Sequence, residues 1–405
     1  MKASSSFCRG FSLVELMVAM LISLIIMAGV VNSFLASSNA SHINDELAYV
    51  QENARFALDY ISRDVRQAGD FGCNAAAGAG GTNHLTANNL INVVATAEPN
   101  AVLRKRVGIE GFDRAEGVAA FPLVNASVSA GTDALVVRRA DAGTAENSNQ
   151  FIVQSHDAAT GQFTLTTPQN FDNGTYLVAA DADCGHQAIF KKTSVNGLSA
   201  VVGYNGAGNC TTTLRGLRKR GPGAYSVADC TDLPATVWQD PPAIPAPAAG
   251  AYNFRAGASL MPLRGVMYYI APSAQDPSVR SLWITYITNG GARDTQELVT
   301  GVFDMRLHYG VDTDVVNLED VIAPDGIPNK YLRANQIASD EPNPAAPLYE
   351  VWNRVTAVRI ELLVRSRTQV LPAAQAVNLL GNNYNDRFLY QVVSTTVTLR
   401  NAFRG

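Results

Sequence analysis

An apolar run near the N-terminus constrains the fold more than any other feature of the sequence. From Leu16 to Ala40 the chain has no Asp, Glu, Lys, Arg or His, and one acid, Glu15, lies directly before this run. As a helix, these 25 residues would extend about 37 Å at about 1.5 Å per residue, which is enough to cross a bilayer. Lys2 and Arg9 precede the run and acids follow it, so the charge bias places the N-terminus in the cytoplasm and the remainder in the periplasm.

The composition and motifs exclude several functions. Charged residues make up 16% of the 405 residues and hydrophobic residues 47%, which is ordinary for an exported globular protein. The formal net charge is -4, so no basic excess indicates nucleic-acid binding. Neither HExxH nor GxSxG occurs, and the five histidines form no paired metal spacing. We therefore expect no catalytic turnover, no cofactor and no nucleic-acid partner.

The stretch RGFSLVELMVAMLI, from Arg9 to Ile22, resembles a type IV prepilin signal, with a basic leader ending in Gly and an acid five residues after the cleavage site. This resemblance implies that a membrane prepilin peptidase cleaves after Gly10 and that the new amine of Phe11 is N-methylated. It also implies that Glu15 meets the free N-terminal amine of a neighbouring subunit and fixes the register during assembly. The alternative is a plain single-pass anchor in which Glu15 snorkels to the headgroups.

Leader cleavage would also remove Cys8 and leave four cysteines, an even number, in a periplasmic domain where disulfides persist. Four cysteines allow three connectivities. We favour Cys73–Cys184, which would tie the end of the helix to the globular body, and Cys210–Cys230, which would close a short local loop. Free or partly paired thiols are the alternative.

Beyond the apolar run, the sequence continues as an amphipathic helix. Apolar residues recur every three or four positions on one stripe, namely Ile43, Leu47, Val50, Ala54, Ala57, Ile61, Val65 and Ala68. Gly69 can adopt the left-handed conformation that ends a helix. We predict a leader at 1–10 and one long helix within 11–70, transmembrane at about 14–36 and packed on a globular domain beyond. A free-standing coiled-coil stalk would need a longer stripe with its own charge pattern.

Residues 71–405 are predicted to form a β-rich periplasmic domain. Runs typical of strands dominate, namely DALVVRR, FIVQS, QFTLTT, TYLVAA, QAIFKK, GVMYYIA, RSLWITYI, AVRIELLVRSR and LYQVVSTTVTLRN. The Pro- and Ala-rich stretch 240–250 marks a weak internal boundary, because it cannot pair as a central strand. The predicted fold class is α+β and pilin-like, with one long N-terminal helix packed on a mainly antiparallel sheet.

Further stretches resemble PilW-type minor pilins of type IV pili, namely ISRDVRQAGDFGC, ADCGHQAIFK, ELVTGVFDMRLHYGVDTD, VWNRVTAVRIELLVRSR and TTVTLRNAF. The resemblance covers both ends of the chain and leaves 74–130 and 195–265 unplaced. It implies a low-abundance subunit that primes pilus assembly at the tip and supports twitching motility and adhesion. The implied partners are other minor pilins, the major pilin, the prepilin peptidase, the inner-membrane assembly platform and a tip adhesin.

One stretch departs from that family. YGVDTD often continues there as a calcium-loop-like DxDxDG, but here Asp312 and Asp314 are followed by Val316, where a third oxygen ligand belongs. Asp325 comes eleven residues after Asp314. Either an insertion splits the loop or the site is lost, and the sequence favours a solvated acidic loop over a calcium site.

Two other functions stay open at this stage. A J-type pseudopilin of a type II secretion system would share the signal and the fold, and it would differ in its deletion phenotype, which is loss of secreted enzymes rather than of surface pili. A membrane-anchored periplasmic enzyme or binding protein would keep an uncut N-terminus, and the missing catalytic patterns argue against it. The favoured prediction is a minor pilin.

Overall fold

The computed structural model of the chain describes residues 12–72, 108–113, 128–143, 150–182, 187–205, 209, 218–219, 238–239, 253–287, 293–313, 326–337, 352 and 354–400. Helix α1 spans Leu13–Arg66 and α2 spans Ala334–Ile337. The strands of the first part are β1 Ile109–Phe112, β2 Ala134–Ala140, β3 Phe151–Asp157, β4 Gln162–Gln169, β5 Tyr176–Ala180, β6 Gln187–Lys191, β7 Ser199–Gly203, β8 Arg218–Lys219 and β9 Trp238–Gln239. Those of the second part are β10 Ser259–Pro272, β11 Arg280–Ile287, β12 Arg293–Thr300, β13 Val302–Val311, β14 Lys330–Leu332, β15 Val355–Gln369, β16 Gln375–Leu379, β17 Asn382–Asp386 and β18 Phe388–Thr398.

The strands form a mainly antiparallel architecture around β10. A ten-stranded sheet follows the order β1-β2-β10-β3-β4-β7, with β11, β12, β5 and β6 branching from β10. A four-stranded sheet has the order β14-β13-β15-β18, and β16–β17 and β8–β9 form separate pairs. The fourteen residues of β10 pair with β2, β3, β5 and β11 along their length. This one long helix and largely antiparallel sheet confirm the predicted α+β class.

Helix α1 follows from its sequence. Its 54 residues extend about 80 Å at about 1.5 Å per residue. The predicted stripe is confirmed from Val50 to Ala68, where every member is at most 1% exposed, whereas its first members, Ile43 and Leu47, are half-buried. Gly69 ends the helix with a φ of 77°, in the left-handed region that lacks a penalty only for glycine.

The four-stranded sheet shows why AVRIELLVRSR reads so clearly as a strand. Val358, Ile360 and Leu362 are fully buried, whereas Arg359 is exposed and Glu361 half-buried. The register pairs His308 with Arg359 and Arg306 with Glu361 across β13 and β15, so polar residues of both strands share the outer face. From residue 358 to 362 this alternation is the pattern of a sheet that is buried on one side only, whereas Ala357 and Leu363, on the same face as Arg359, are fully buried.

Asp133 joins the four-stranded sheet to the ten-stranded sheet. Its backbone N–H donates to the carbonyl of Met305 at 3.1 Å, and its carboxylate accepts from the backbone N–H of Leu307 at 2.9 Å. The guanidinium of Arg333 donates to the same carboxylate at 2.9 Å and also binds Asp113. Since Asp133 is only 2% exposed, its carboxylate needs such partners, and the Leu307 N–H and the Arg333 guanidinium each bind one of its oxygens.

An aromatic core fills the lobe formed by β3, β4 and β7. The ring of His156 stacks on Phe163 with centroids 4.0 Å apart. Its Nδ1 accepts the backbone N–H of Phe254 at 3.0 Å, and its Nε2 lies 2.7 Å from the hydroxyl of Tyr204. Burial lowers the pKa of His156 to about 4, against the opposing effect of Asp157. This histidine is therefore a neutral core residue with both ring nitrogens hydrogen-bonded.

The chain divides into two compact units. The helix–ribbon unit comprises residues 1–52 and 365–390, and the main β unit comprises 53–364 and 391–405. The boundary falls within α1. The predicted internal boundary at 240–250 lies outside the described residues.

Candidate functional site

The first half of α1 presents apolar side chains on every side. All sixteen of its large hydrophobic residues from Leu13 to Leu35 are exposed, from 48% at Val31 to 75% at Leu13. The most apolar window has a mean hydropathy of 2.6 and no buried residue, so by length and composition this helix can cross a membrane. A helix that is apolar all round requires an apolar environment, either lipid or other protein.

Polar groups in this half are few. Ser23 is the single hydroxyl between Leu16 and Val31, and it donates to the carbonyl of Ala19 at 2.7 Å, within the helix itself. Glu15 is exposed in the first helical turn, where the helix dipole favours a negative charge. Its carboxylate is thus the one ionisable group on the apolar surface that α1 offers from residue 13 to residue 40.

The helix–ribbon unit holds α1 where its exposed half ends. Glu46 is only 6% exposed and accepts the backbone N–H of Arg367 at 2.7 Å. The guanidinium of Arg367 lies 3.3 Å from the second oxygen of Glu46 and 4.4 Å from the centre of the Tyr49 ring. One acid on the helix therefore binds both the backbone and the side chain of the ribbon strand.

The ribbon of residues 365–390 is closed at its base. Leu371 and Arg387 exchange two hydrogen bonds, from the Leu371 N–H at 3.0 Å and from the Arg387 Nε at 2.6 Å. At the other end Leu380, with a φ of 51°, and Gly381 form the two-residue turn between β16 and β17. A leucine in the left-handed region costs about 1–2 kcal/mol, so the ribbon tip is a strained position.

In the main β unit, the second half of α1 is fixed by a polar network. The hydroxyls of Tyr60 and Tyr286 lie 2.7 Å apart. Tyr268 donates to Asp64 at 2.6 Å, and the guanidinium of Arg139 lies 3.8 Å from the same carboxylate. Burial raises the pKa of Tyr268 well above its usual value, and the charge of the nearby Asp64 carboxylate raises it further. The hydroxyl therefore stays protonated and donates.

Backbone bonds then lock the end of the helix. The N–H of Gly69 donates to the carbonyl of Arg138 at 2.9 Å, and the N–H of Ala140 donates to the carbonyl of Asp70 at 2.6 Å. These two hydrogen bonds to the segment 138–140 satisfy backbone groups that have no partner within the helix at its C-terminal end. The second half of α1 is therefore held by its stripe, by side chains and by backbone.

The predicted site residues are only partly described. Gly10, Phe11 and all five cysteines lie outside the described residues, so the cleavage site and the disulfides stay predictions. Of the candidate calcium ligands only Asp312 is described. It is 2% exposed and accepts the backbone N–H of Gly326 at 2.8 Å, which fixes the ends of the loop. Within the described ranges no group of three potential metal ligands occurs.

Two family models match this chain. Residues 267–401 match the model described as Type IV Pilus-assembly protein W, and residues 5–31 match the prokaryotic N-terminal methylation motif. The two matches support a PilW-type minor pilin. They point to a structural component of the pilus rather than an enzyme, and with the exposed helix they fit a pilin anchored in the inner membrane. No curated protein and no solved structure matches the chain.

The sequence did not reveal the residues that hold the helix of this chain. Glu46 and Arg367 are separated by 321 positions, and Asp64 and Tyr268 by 204. A local signal existed for Glu46 and Asp64, because each is an acid three residues after one member of the stripe and four before another. Their partners could not be inferred without the fold.

Proposed function

We propose that this chain is a low-abundance subunit that primes type IV pilus assembly and is built into the filament tip. The observation that carries this proposal is the change along α1, from complete exposure before residue 36 to complete burial of the stripe from residue 50. A subunit that must leave the bilayer and enter a filament needs one half of its helix free to change partners. Its other half must keep the domain attached.

The proposed steps of assembly each use a named part of the N-terminal segment. The apolar half inserts into the inner membrane, the prepilin peptidase cleaves after Gly10, and the amine of Phe11 becomes free and is methylated. Glu15 then lies within about one helical turn of the new N-terminus. A carboxylate near the bilayer core costs up to about 3 kcal/mol, and this cost is offset when an amine of a neighbouring subunit approaches it. The pair therefore favours one register over others.

The partners of this proposal are the other minor pilins, the major pilin, the assembly platform and a tip adhesin. The family match supports contacts with pilus components in general. Retraction and extension of such filaments would supply twitching motility and adhesion. The domain contributes by presenting its surface to the neighbouring subunits.

The N-terminal mass of the membrane-extracted protein tests this proposal. We expect a chain that begins at N-methylated Phe11. A chain that still begins at Met1, in cells whose other pilins are cleaved, would contradict the proposal. Deletion of the gene separates the two systems that use this signal: loss of surface pili supports the pilus, whereas loss of secreted enzymes with normal pili supports a secretion pseudopilin.

A further inference from the structure

The dipeptide Asn196–Gly197 lies in the loop between β6 and β7. Both residues are exposed, and a Cβ added to Gly197 would meet no heavy atom of the described chain within 4 Å beyond its own neighbours. Gly197 has a φ of 114°, in a region that glycine adopts without steric cost. Asparagine is one of the chemically labile residues of proteins, and an unhindered glycine directly after it opens its side chain to attack by the main chain.

The first half of this loop is held by hydrogen bonds, whereas the nitrogen of Gly197 is not. The buried ammonium of Lys192 donates to the carbonyl of Val195 at 2.8 Å, and the N–H of Ser194 donates to the carbonyl of Gly203 at 3.2 Å. Within the described part of the chain, the N–H of Gly197 donates to no acceptor. Its nitrogen is therefore available as a nucleophile without the loss of a hydrogen bond.

The side chain of Asn196 is oriented and polarised by a neighbouring backbone group. Its Oδ1 accepts the backbone N–H of Asn173 at 2.5 Å, and its Nδ2 has no hydrogen-bond partner among the described residues. When a nucleophile adds to Cγ, negative charge develops on Oδ1. A backbone N–H that already points at this oxygen stabilises that charge, as the donors of an oxyanion hole do. The exposed Nδ2 can take up a proton from water and leave as ammonia.

The dipeptide Asn173–Gly174 has the same sequence but a different environment. Gly174 is buried, and its N–H donates to the backbone carbonyl of Lys192 at 2.9 Å. Attack by this nitrogen on the Asn173 side chain would break that bond, which costs free energy because the groups are buried. The chain thus contains the reactive dipeptide at 196 and a matched, protected one at 173.

We propose that Asn196–Gly197 is a self-modification site, at which the chain converts the side-chain amide to a carboxylate through a cyclic imide. The Gly197 nitrogen loses its proton to water and bonds to Cγ of Asn196, and Nδ2 leaves as ammonia. Water then opens the imide. Cleavage of the bond to Cγ gives aspartate, and cleavage of the bond to the main-chain carbonyl carbon gives isoaspartate. Water is consumed, ammonia is released, and no enzyme is required because the attack is intramolecular.

The modification changes both the charge and the backbone of the loop. Either product adds a negative charge, and isoaspartate also lengthens the main chain directly after Val195, whose carbonyl binds Lys192. The reaction releases ammonia and does not reverse in water, so the product accumulates with the age of each copy. The site therefore gives old copies a loop that differs from that of new copies. This inference goes beyond the proposed function and does not depend on it.

Peptide mapping of the folded, detergent-solubilised full chain tests this site. The protein is incubated at mildly alkaline pH in water enriched in heavy oxygen and is then digested. We expect the peptide that contains Asn196 to become a mixture of aspartate and isoaspartate that carries the heavy isotope. Asn173 should convert about tenfold more slowly, which is the factor that one hydrogen bond at Gly174 contributes. In urea the two rates should become equal, because that bond is then absent.

Two variants serve as controls for the site. Asn196→Gln should lose the conversion, because its longer side chain must close a larger ring, and the exposed Asn385→Gln should leave the rate at 196 unchanged. A folded chain that keeps the amide of Asn196 while the urea-treated chain loses it would overturn the proposal. Equal rates at Asn173 and Asn196 in the folded chain, or aspartate without isoaspartate, would overturn it as well. None of these outcomes affects the proposed function, which the N-terminal mass tests separately.

Discussion

The two halves of α1 are both rich in apolar residues, yet they meet different surroundings. Residues 13–35 expose every large side chain, whereas the stripe from Val50 to Ala68 is completely buried. The difference lies in the pattern, since the first half is apolar on all faces and the second on one. A helix that is apolar all round finds no match in its own domain, so its exposed surface requires an apolar environment, either lipid or other protein. The same helix therefore serves folding at one end, and under the proposed function it serves assembly at the other.

The same substitution in each half should show the largest contrast. Ile61→Ala in the buried stripe should lower the free energy of unfolding of the main β unit by about 2–5 kcal/mol, because it leaves a cavity. Ile25→Ala, at a residue that is 63% exposed, should change it by less than about 0.5 kcal/mol. Chemical denaturation of the detergent-solubilised chain measures both. Equal effects would mean that the two halves do not differ as described.

Acidic pH should lower the free energy of unfolding of the main β unit, which contains His156. The pKa of His156 falls from 6.5 to about 4 on folding, so protonation favours the unfolded state. The stabilisation is fully present above pH 6.5 and is lost as the pH falls to 4, by about 2–3 kcal/mol. Denaturation at pH 7, 5.5 and 4 should show this loss in the wild type. In His156→Gln the pH slope should be smaller by about one proton, while the exposed His42→Gln control should keep the wild-type slope.

Removing Asp64, which binds Tyr268 from the second half of α1, should lower the stability by a smaller amount. Asp64→Ala leaves the buried hydroxyl of Tyr268 without its acceptor, which should cost about 1–3 kcal/mol. Asp59→Ala is the matched control, because its side chain is 73% exposed and its contact with Arg55 is 3.9 Å long. Thermal melting compares the two variants. A similar shift in both would show that the Asp64 network adds nothing to the anchorage.

The ribbon contact should give the smallest effect and a local one. Glu46→Gln removes the charge that binds the Arg367 guanidinium, and we expect a loss of about 1 kcal/mol in local stability. Hydrogen exchange should become faster in residues 365–390 and remain unchanged in β10. The exposed Glu52→Gln control should alter neither. Faster exchange throughout the chain would contradict a local role for Glu46.

Much of the fold could be predicted from local patterns. The length of α1, its stripe and its Gly69 cap are each encoded within a few residues. The strands β2, β3, β4, β11 and β15 alternate or form short apolar runs, and all were predicted. Strand β13 was missed because Asp304 and Arg306 interrupt its apolar pattern, although Asp304 is fully buried.

The contacts that hold α1 on the rest of the chain could not be predicted without the fold. The β16–β17 ribbon was missed because Leu380 stands at a turn position where Asn or Gly is usual. The pairs Glu46–Arg367 and Asp64–Tyr268 join residues hundreds of positions apart, and no local pattern encodes such distances. The exposure of Val195 was likewise not predictable, because an apolar residue in a sequence carries no sign of being exposed to solvent.

The most direct test of the two-halves account is pilus formation in cells whose sole copy carries Glu15→Leu. This change removes the one carboxylate of the exposed first half of α1 and leaves the buried second half unchanged. We predict a cleaved, membrane-inserted protein with the wild-type melting temperature, few surface pili, and little of the chain in the sheared filament fraction. Wild-type numbers of pili, with the Glu15→Leu chain recovered in the filaments as efficiently as a Glu52→Gln control, would contradict the account.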